Sequence, residues 1–461
     1  MSILAAFMVP HPPMIVPEIG KGSEERVRET IRSYEMVAAE IAELRPDTVI
    51  ITSPHATMYA DYFHISPGYH ARGSFANFGV PNVTFEESYD VALRERIEML
   101  CQEEDFPAGT LGERDPNLDH GTMVPLWYLH RKCDGFQILR IGLSGLSLPD
   151  HYHLGELIRQ AVDESGRRVV FVASGDLSHK LQEYGPYGFA PEGPEYDRRI
   201  MDTCGRAAFD ELLDYEESFC DKASECGHRS FVIMAGALDG TAVKPRTYSH
   251  EDVTGVGYGI CSFYPQGPDD TRHFRETWIR KKKEELEQRA AGSDAYVRLA
   301  RKSLESYILT GQAIVTPEDL PSEMLTQQAG AFVSIHKEGR LRGCIGTILP
   351  TEDCLANEII QNAISASTRD PRFDPIRPEE LPLLEINVDV LSEPEDIDSP
   401  EELDVKRYGV IVSCGSRRGL LLPDLDGVDT VEEQISIARR KGGISEKEKV
   451  RLQRFEVIRH V

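Results

Sequence analysis

The chain has 461 residues and a formal net charge of −26. So large an excess of carboxylate excludes a nucleic-acid groove and an anionic membrane surface, since both attract Lys and Arg. With 40% apolar and 28% charged residues, the composition is that of a folded protein with room for two or three domains. Nine cysteines, an odd number with no CxxC pair, argue against a disulfide framework or a zinc ribbon and fit reduced thiols in a cytoplasm. The opening MSILAAFMVPHPP has no basic n-region and reads as a first strand, not a signal peptide. No apolar stretch is long enough to span a bilayer, so a cytoplasmic location is expected.

In chain order, Ile3 to Val9 is an apolar run ending at Pro10-His11-Pro12-Pro13. Ser23 to Leu44 has helical periodicity. Thr48 to Thr52 is a buried-type strand ending at Ser53-Pro54-His55. Asp119-His120-Gly121-Thr122 falls in a loop before a helix starting near Pro125. Phe136 to Leu143 repeats the strand pattern, and Arg168 to Ala173 does so again, ending at Ser174-Gly175-Asp176. Gly257 to Tyr264 closes this part. Strands alternating with helices predict an α/β sheet covered on both faces, over residues 1–265.

Pro265 to Asp270 is a turn-rich break. The charged helix after it, which includes RKKKEELEQR, reads as a solvated connector over 266–294. The last part, 295–461, alternates helices (Ala295–Leu309, Leu355–Ser367, Val431–Lys441) with strands (Gly330–His336, Leu384–Leu391, Tyr408–Ser413, Gly419–Leu422). That pattern is a smaller α+β domain. There is no internal repeat.

The chemistry-bearing residues of the first domain gather after its strands, at the carboxyl edge where open α/β sheets bind ligands. His11 and His55 each follow a strand, and Asp176 and His179 follow a third in GDLSH. Neutral imidazole and carboxylate together suit Fe(II), with open positions left for other ligands. The absence of HExxH or a helical HxxxH counts against a zinc protease. A histidine at a strand end is also commonly a hydrogen-bonded structural residue, so spacing alone leaves a shared site open.

The ordered set His11-Pro12-Pro13, Ser53-Pro54-His55-Ala56, Asp119-His120-Gly121, Gly175-Asp176-Leu177-Ser178-His179 and Glu225-Cys226-Gly227-His228-Arg229 resembles the LigB-like class III extradiol dioxygenases and their Memo-type relatives, over about residues 1–265. The resemblance implies Fe(II), with Zn in aerobic preparations, held by His11, His55 and a late glutamate. Glu225 is the best match for that glutamate, and Glu216 and Glu217 compete. The resemblance also implies His179 as acid/base histidine, with Asp176 beside it, and His120 as a substrate-orienting histidine. A catechol-like or enolisable small molecule and O2 would be the reactants. Memo-type proteins carry a cysteine near the glutamate position, and here Cys226 adjoins Glu225. The alternative reading is therefore a Memo-type metal, redox or peptide-binding protein.

Leu341-Arg342-Gly343-Cys344-Ile345-Gly346, Ser367-Thr368-Arg369-Asp370-Pro371-Arg372-Phe373 and Gly419-Leu420-Leu421-Leu422-Pro423 resemble the AMMECR family. That resemblance implies a working partnership with a radical S-adenosylmethionine enzyme. Within this motif Arg342 is a candidate anion-binding residue and Cys344 a candidate nucleophile or redox thiol, set against a plain tight turn. Pocket loops such as Tyr59–Phe78 carry substrate choice and no readable code. Oligomeric state is unreadable.

Overall fold

A parallel strand buried on both faces has no polar side to show, so it reads as an unbroken apolar run. Three such runs lie side by side: β1 (Ile3–Val9), β2 (Thr48–Ser53) and, later, Val169–Ser174. Between them come α1 (Arg28–Leu44), α2 (His120–His130), β3 (Gln137–Gly142) and α3 (Leu148–Ser165). Val169–Ser174 is β4, followed by α4 (Glu192–Arg206), α5 (His228–Ala237), β5 (Thr241–Glu251) and β6 (Tyr258–Pro268). The computed structural model describes residues 3–425 and 427–461, and the chain divides into two units at Ile279/Arg280.

In the first unit the sheet order is β3-β2-β4-β1-β6-β5. The first four strands are parallel; β6 pairs antiparallel with β1, and β5 pairs antiparallel with β6. Alternate residues feed two apolar layers. Ala6, Met8, Ile50 and Phe171 pack with Tyr152 of α3 and Phe231 of α5. Phe7, Val9, Ile51 and Val172 pack with Tyr34 and Val37 of α1 and Val124 of α2. Because Val9 pairs with Ser174 and Thr52 with Ala173, β1, β2 and β4 all stop at one edge. Whatever follows each strand is delivered to the same place.

Two boundaries differ from the sequence reading. The helix expected near Pro125 begins five residues earlier, at His120, because Asp119 caps it by accepting the Thr122 N–H at 3.1 Å. The break expected at Pro265 is still strand: β6 continues to Pro268, which pairs with Thr241. The last β1 partner on β6 is Phe263, so Pro265 and Pro268 lie past that neighbour and are paired on one side only, with β5. A helix, α6 (Phe274–Gly292), follows, with Leu286 its one buried residue.

In the second unit α7 (Ala295–Thr310), β7 (Ala331–Lys337), β8 (Arg340–Gly346), α8 (Leu355–Thr368), β9 (Leu384–Leu391), β10 (Tyr408–Cys414), β11 (Arg417–Leu421), α9 (Val431–Lys441) and β12 (Arg451–His460) form an antiparallel sheet, ordered β8-β7-β9-β12-β10-β11. Side chains of β7 and β9 pack with α7 and α8. Those of β10 and β11 pack with α9. Among the described residues no helix is long and apolar enough to cross a membrane.

Candidate metal centre

The loop after β1 is held on three sides. The His11 N–H donates to Asp176 Oδ1 at 2.8 Å, tying it to the loop after β4. The hydroxyls of Tyr34 and Tyr128 donate to the Pro10 and Ile15 carbonyls at 2.8 and 2.7 Å, with the two rings stacked. His11 is thereby buried and fixed. His55 follows β2 by two residues, and its Nε2 lies 3.0 Å from His11 Nε2.

His120 arrives from the start of α2. Asp119 accepts from Ser53 Oγ at 2.5 Å while capping the helix, so the N-terminus of α2 is fastened to the end of β2. That sets the His120 ring 4.0 Å from His55, centroid to centroid. Only glycine permits this approach at 121, where a Cβ would strike Ser53 Oγ and crowd the Asp119 carboxylate.

The late motif does not place its residues as the sequence reading expects. Glu225, the expected third ligand, turns its carboxylate to the backbone and accepts the His228 N–H at 2.6 Å. Burial pushes it up to about 7. Its neighbour Cys226 enters the site instead, with Sγ 3.7 Å from His11 Nε2 and 3.3 Å from the Asp176 N–H that donates to it. The reason is a backbone contact: a Cβ on Gly175 would collide with the Gly227 Cα. Two glycines let the post-β4 loop press against the turn that bears Cys226. Glu216 is an exposed helix cap, and Glu217 pairs with Arg229 at 3.4 Å. Among the described residues two donor groups result, His11-His55-Cys226 and Asp176-His179-Cys226.

The electrostatics of the imidazoles suit coordination, whereas burial, with the Asp176 and Glu225 carboxylates, pushes the Cys226 thiol well up, so its thiolate would form only with an ion bound. Burial holds His11 well below its usual 6.5, and the neighbouring His55 lowers it further. Burial lowers His55 and His179 too, and takes His120 down to about 3. These imidazoles are neutral near neutral pH, the form that binds metal. The two Nε2 atoms, 3.0 Å apart, and Cys226 Sγ, 3.7 Å from His11 Nε2, are close enough for one ion to reach all three at metal–donor distances of about 2.0–2.3 Å. The donors therefore fit a metal ion.

His179 keeps its Nε2 buried and without a hydrogen-bond partner among the described residues, its ring stacked on Tyr187 at 5.0 Å. A cavity of about 800 Å³ opens beside His55 and His120 and is lined by Arg72, Asn77, Phe78 and Arg140. Sequence reasoning missed Arg140, yet a charge inside the strand QILRIG was the signal. Fully buried, it donates to Ser66 Oγ (2.6 Å) and to the Asn117 and Asp115 carbonyls (2.6 and 3.2 Å), bracing the loop that leads into Asp119.

In the second unit Arg342, expected as an anion binder, is already paired. It grips Glu380 with Nε at 2.9 Å and Nη2 at 3.0 Å, and donates to the Asp374 carbonyl at 2.8 Å. Cys344 lies two residues on. Its N–H donates to Asp370 at 2.9 Å, its carbonyl accepts from Arg372 at 3.0 Å, and Ser334 Oγ donates to its sulfur at 3.2 Å. Two of the three motifs that mark this domain thus bind one another.

Residues 5–261 match the profile of the catalytic LigB subunit of aromatic ring-opening dioxygenase, and residues 297–460 match AMMECR1. The chain belongs to the LigB family, with an AMMECR1 domain following. Protein CA_C1420 of Clostridium acetobutylicum is 40% identical over 468 aligned residues, spanning 100% of this chain and 99% of its own. A Thermotoga maritima protein is 52% identical over 37% of this chain and 98% of its own. Among solved structures, Pyrococcus horikoshii protein PH0010 is 34% identical over 36% of this chain and 88% of its own, with a TM-score of 0.34. Escherichia coli protein JW3007 is 15% identical over 56% of this chain and 99% of its own, with a TM-score of 0.38.

Proposed function

We propose that the first unit is a metal-dependent oxidoreductase of the Memo type, its ion held by His11, His55 and Cys226, acting on a small polar substrate admitted through the cavity. The observation that carries this reading is the donor set: two neutral imidazole nitrogens and a cysteine sulfur converge, while Glu225 is spent on a backbone amide. Imidazole with thiolate accepts Fe(II), Cu or Zn, and Zn outcompetes Fe(II) at equal availability. A bound redox-active ion would supply Lewis-acid and one-electron chemistry. The chain supplies the rest. His120 and Phe78, 5.4 Å apart between rings, wall the substrate space, and Arg140 braces that wall. His179, neutral and with Nε2 unengaged, takes a proton from a substrate hydroxyl.

Ring-opening dioxygenase activity is the second reading, favoured by the family and by the aromatic wall at Phe78. One experiment separates the two. The full chain is purified without oxygen, its metal is measured, and oxygen uptake is followed with a panel of catechols. The Memo-type reading expects metal to be lost in Cys226→Ser, kept in Glu225→Gln, and no catechol-dependent uptake. Metal lost in Glu225→Gln instead, with ring-opened product, would overturn it in favour of the dioxygenase.

A further inference from the structure

Pro125 lies inside α2, where proline has no N–H to offer the carbonyl four residues back. That carbonyl belongs to Gly121, a buried residue, and an unpaired buried carbonyl is costly. Its partner comes from the sheet instead: Ser174 Oγ, fully buried at the end of β4, donates to it at 2.6 Å. A hydroxyl has one proton. With that proton committed to Gly121, Ser174 has only lone pairs left, and they face His11 Nδ1 at 2.9 Å. Nδ1 must therefore be the donor. A neutral imidazole carries a single N–H, so Nε2 keeps its lone pair. Nε2 is the atom that faces His55 and Cys226.

We propose that Ser174 is a positioning residue which, aimed by Pro125, fixes His11 as its Nδ1–H tautomer and leaves Nε2 free as a metal donor. The tautomer rests on hydrogen bonds alone; its consequence for metal rests on the function proposed above. The device differs from the usual carboxylate or backbone partner of a ligating histidine. Here a gap in one helix, created by a proline, is read through a serine at the end of β4 onto a ring in the loop after β1.

The test uses the full chain, freed of metal by chelation and labelled with 15N-histidine. The His11 signals are assigned by their loss in His11→Gln. The wild type is expected as Nδ1–H. In Ser174→Ala nothing holds the proton there, so the Nε2–H form should gain population and Zn(II) affinity should fall about 10–100-fold, the usual worth of a partner behind a ligand. Ser174→Thr keeps the hydroxyl and should restore both. Pro125→Ala returns an N–H to Gly121, releases the serine proton toward His11, and should shift the tautomer the same way with every ligand intact. Ser174→Ala that stays Nδ1–H and binds Zn(II) as tightly as wild type overturns the proposal. Pro125→Ala with an unchanged tautomer overturns the part assigned to the proline. A tautomer that shifts in a protein that binds no Zn(II) even as wild type upholds the relay and defeats the metal centre.

Discussion

The thiol of Cys226 stands 3.7 Å from Nε2 of His11 across 215 residues of chain, while the adjoining Glu225 faces the other way and holds the amide that begins α5. One residue of offset decides whether a carboxylate or a thiol meets the two imidazoles, and on the proposed function it would set the softness of the ion the site prefers.

That offset gives the first prediction. His11→Ala, His55→Ala and Cys226→Ala should each lower Zn(II) affinity by more than the roughly 10–100-fold that an outer partner is worth, with the fold retained by circular dichroism. Glu225→Gln should bind as the wild type does. Competitive titration against a chromophoric chelator reads all four; full affinity in Cys226→Ala would remove the thiol from the site.

Gly175 and Gly227 make the second. Gly175→Ala forces a methyl onto the Gly227 Cα, and neither backbone has room to yield. The expected cost is about 1–3 kcal/mol of stability, as for other overpacked sites, together with weakened metal binding because Cys226 is displaced. Urea denaturation and metal titration on the same preparation check both. Unchanged values for each would show that the loops do not depend on the contact.

The third concerns pH. The hydrogen bond that His130 donates to the buried Glu87 carboxylate, with a second to Asp134, holds His130 above its usual 6.5. A histidine raised by folding binds its proton more tightly in the native state. Its contribution is fully present below about 6.5, the unfolded value, and is lost as pH rises through the higher folded value. His130→Gln should therefore lose stability at pH 6 and little at pH 9, measured by urea midpoints at each pH. An equal loss at both would show a packing role alone.

The fourth addresses the second unit. Arg342 and Glu380 are bonded through two parallel contacts and are largely shielded from water. A double-mutant cycle of Arg342→Ala and Glu380→Ala should give a coupling on the order of 1 kcal/mol. Zero coupling would free Arg342 for the anion-binding role.

Much of this architecture is legible in the residues. The three buried strands announce themselves because a parallel sheet leaves them no polar face, and the placement of His11, His55 and Asp176 after them follows at once. Other features are hidden because each is settled by a residue far away in sequence. Pro125 reads as a helix start, since proline favours that position, until Asp119 is seen to cap. Pro265 and Pro268 read as a break until the end of β1 is known to fall short of them. The choice between Glu225 and Cys226 depends on how closely Gly175 approaches Gly227, a contact between two loops that no local pattern encodes.

The donors His11 and His55 lie 44 residues apart, and His11 and Cys226 lie 215 apart. No two of these three donors are neighbours in the sequence, and gathering all three means closing long loops whose entropic cost grows with their length. On the proposed function, an ion held by all three donors would bind the native state more tightly than the denatured one and would stabilise the fold by up to RT ln(1 + [L]/Kd). On the proposed function, the centre would be loaded after folding and not serve as a template for it. Protein stripped by a chelator should refill without passing through denaturation, and its melting temperature becomes a gauge of metal supply.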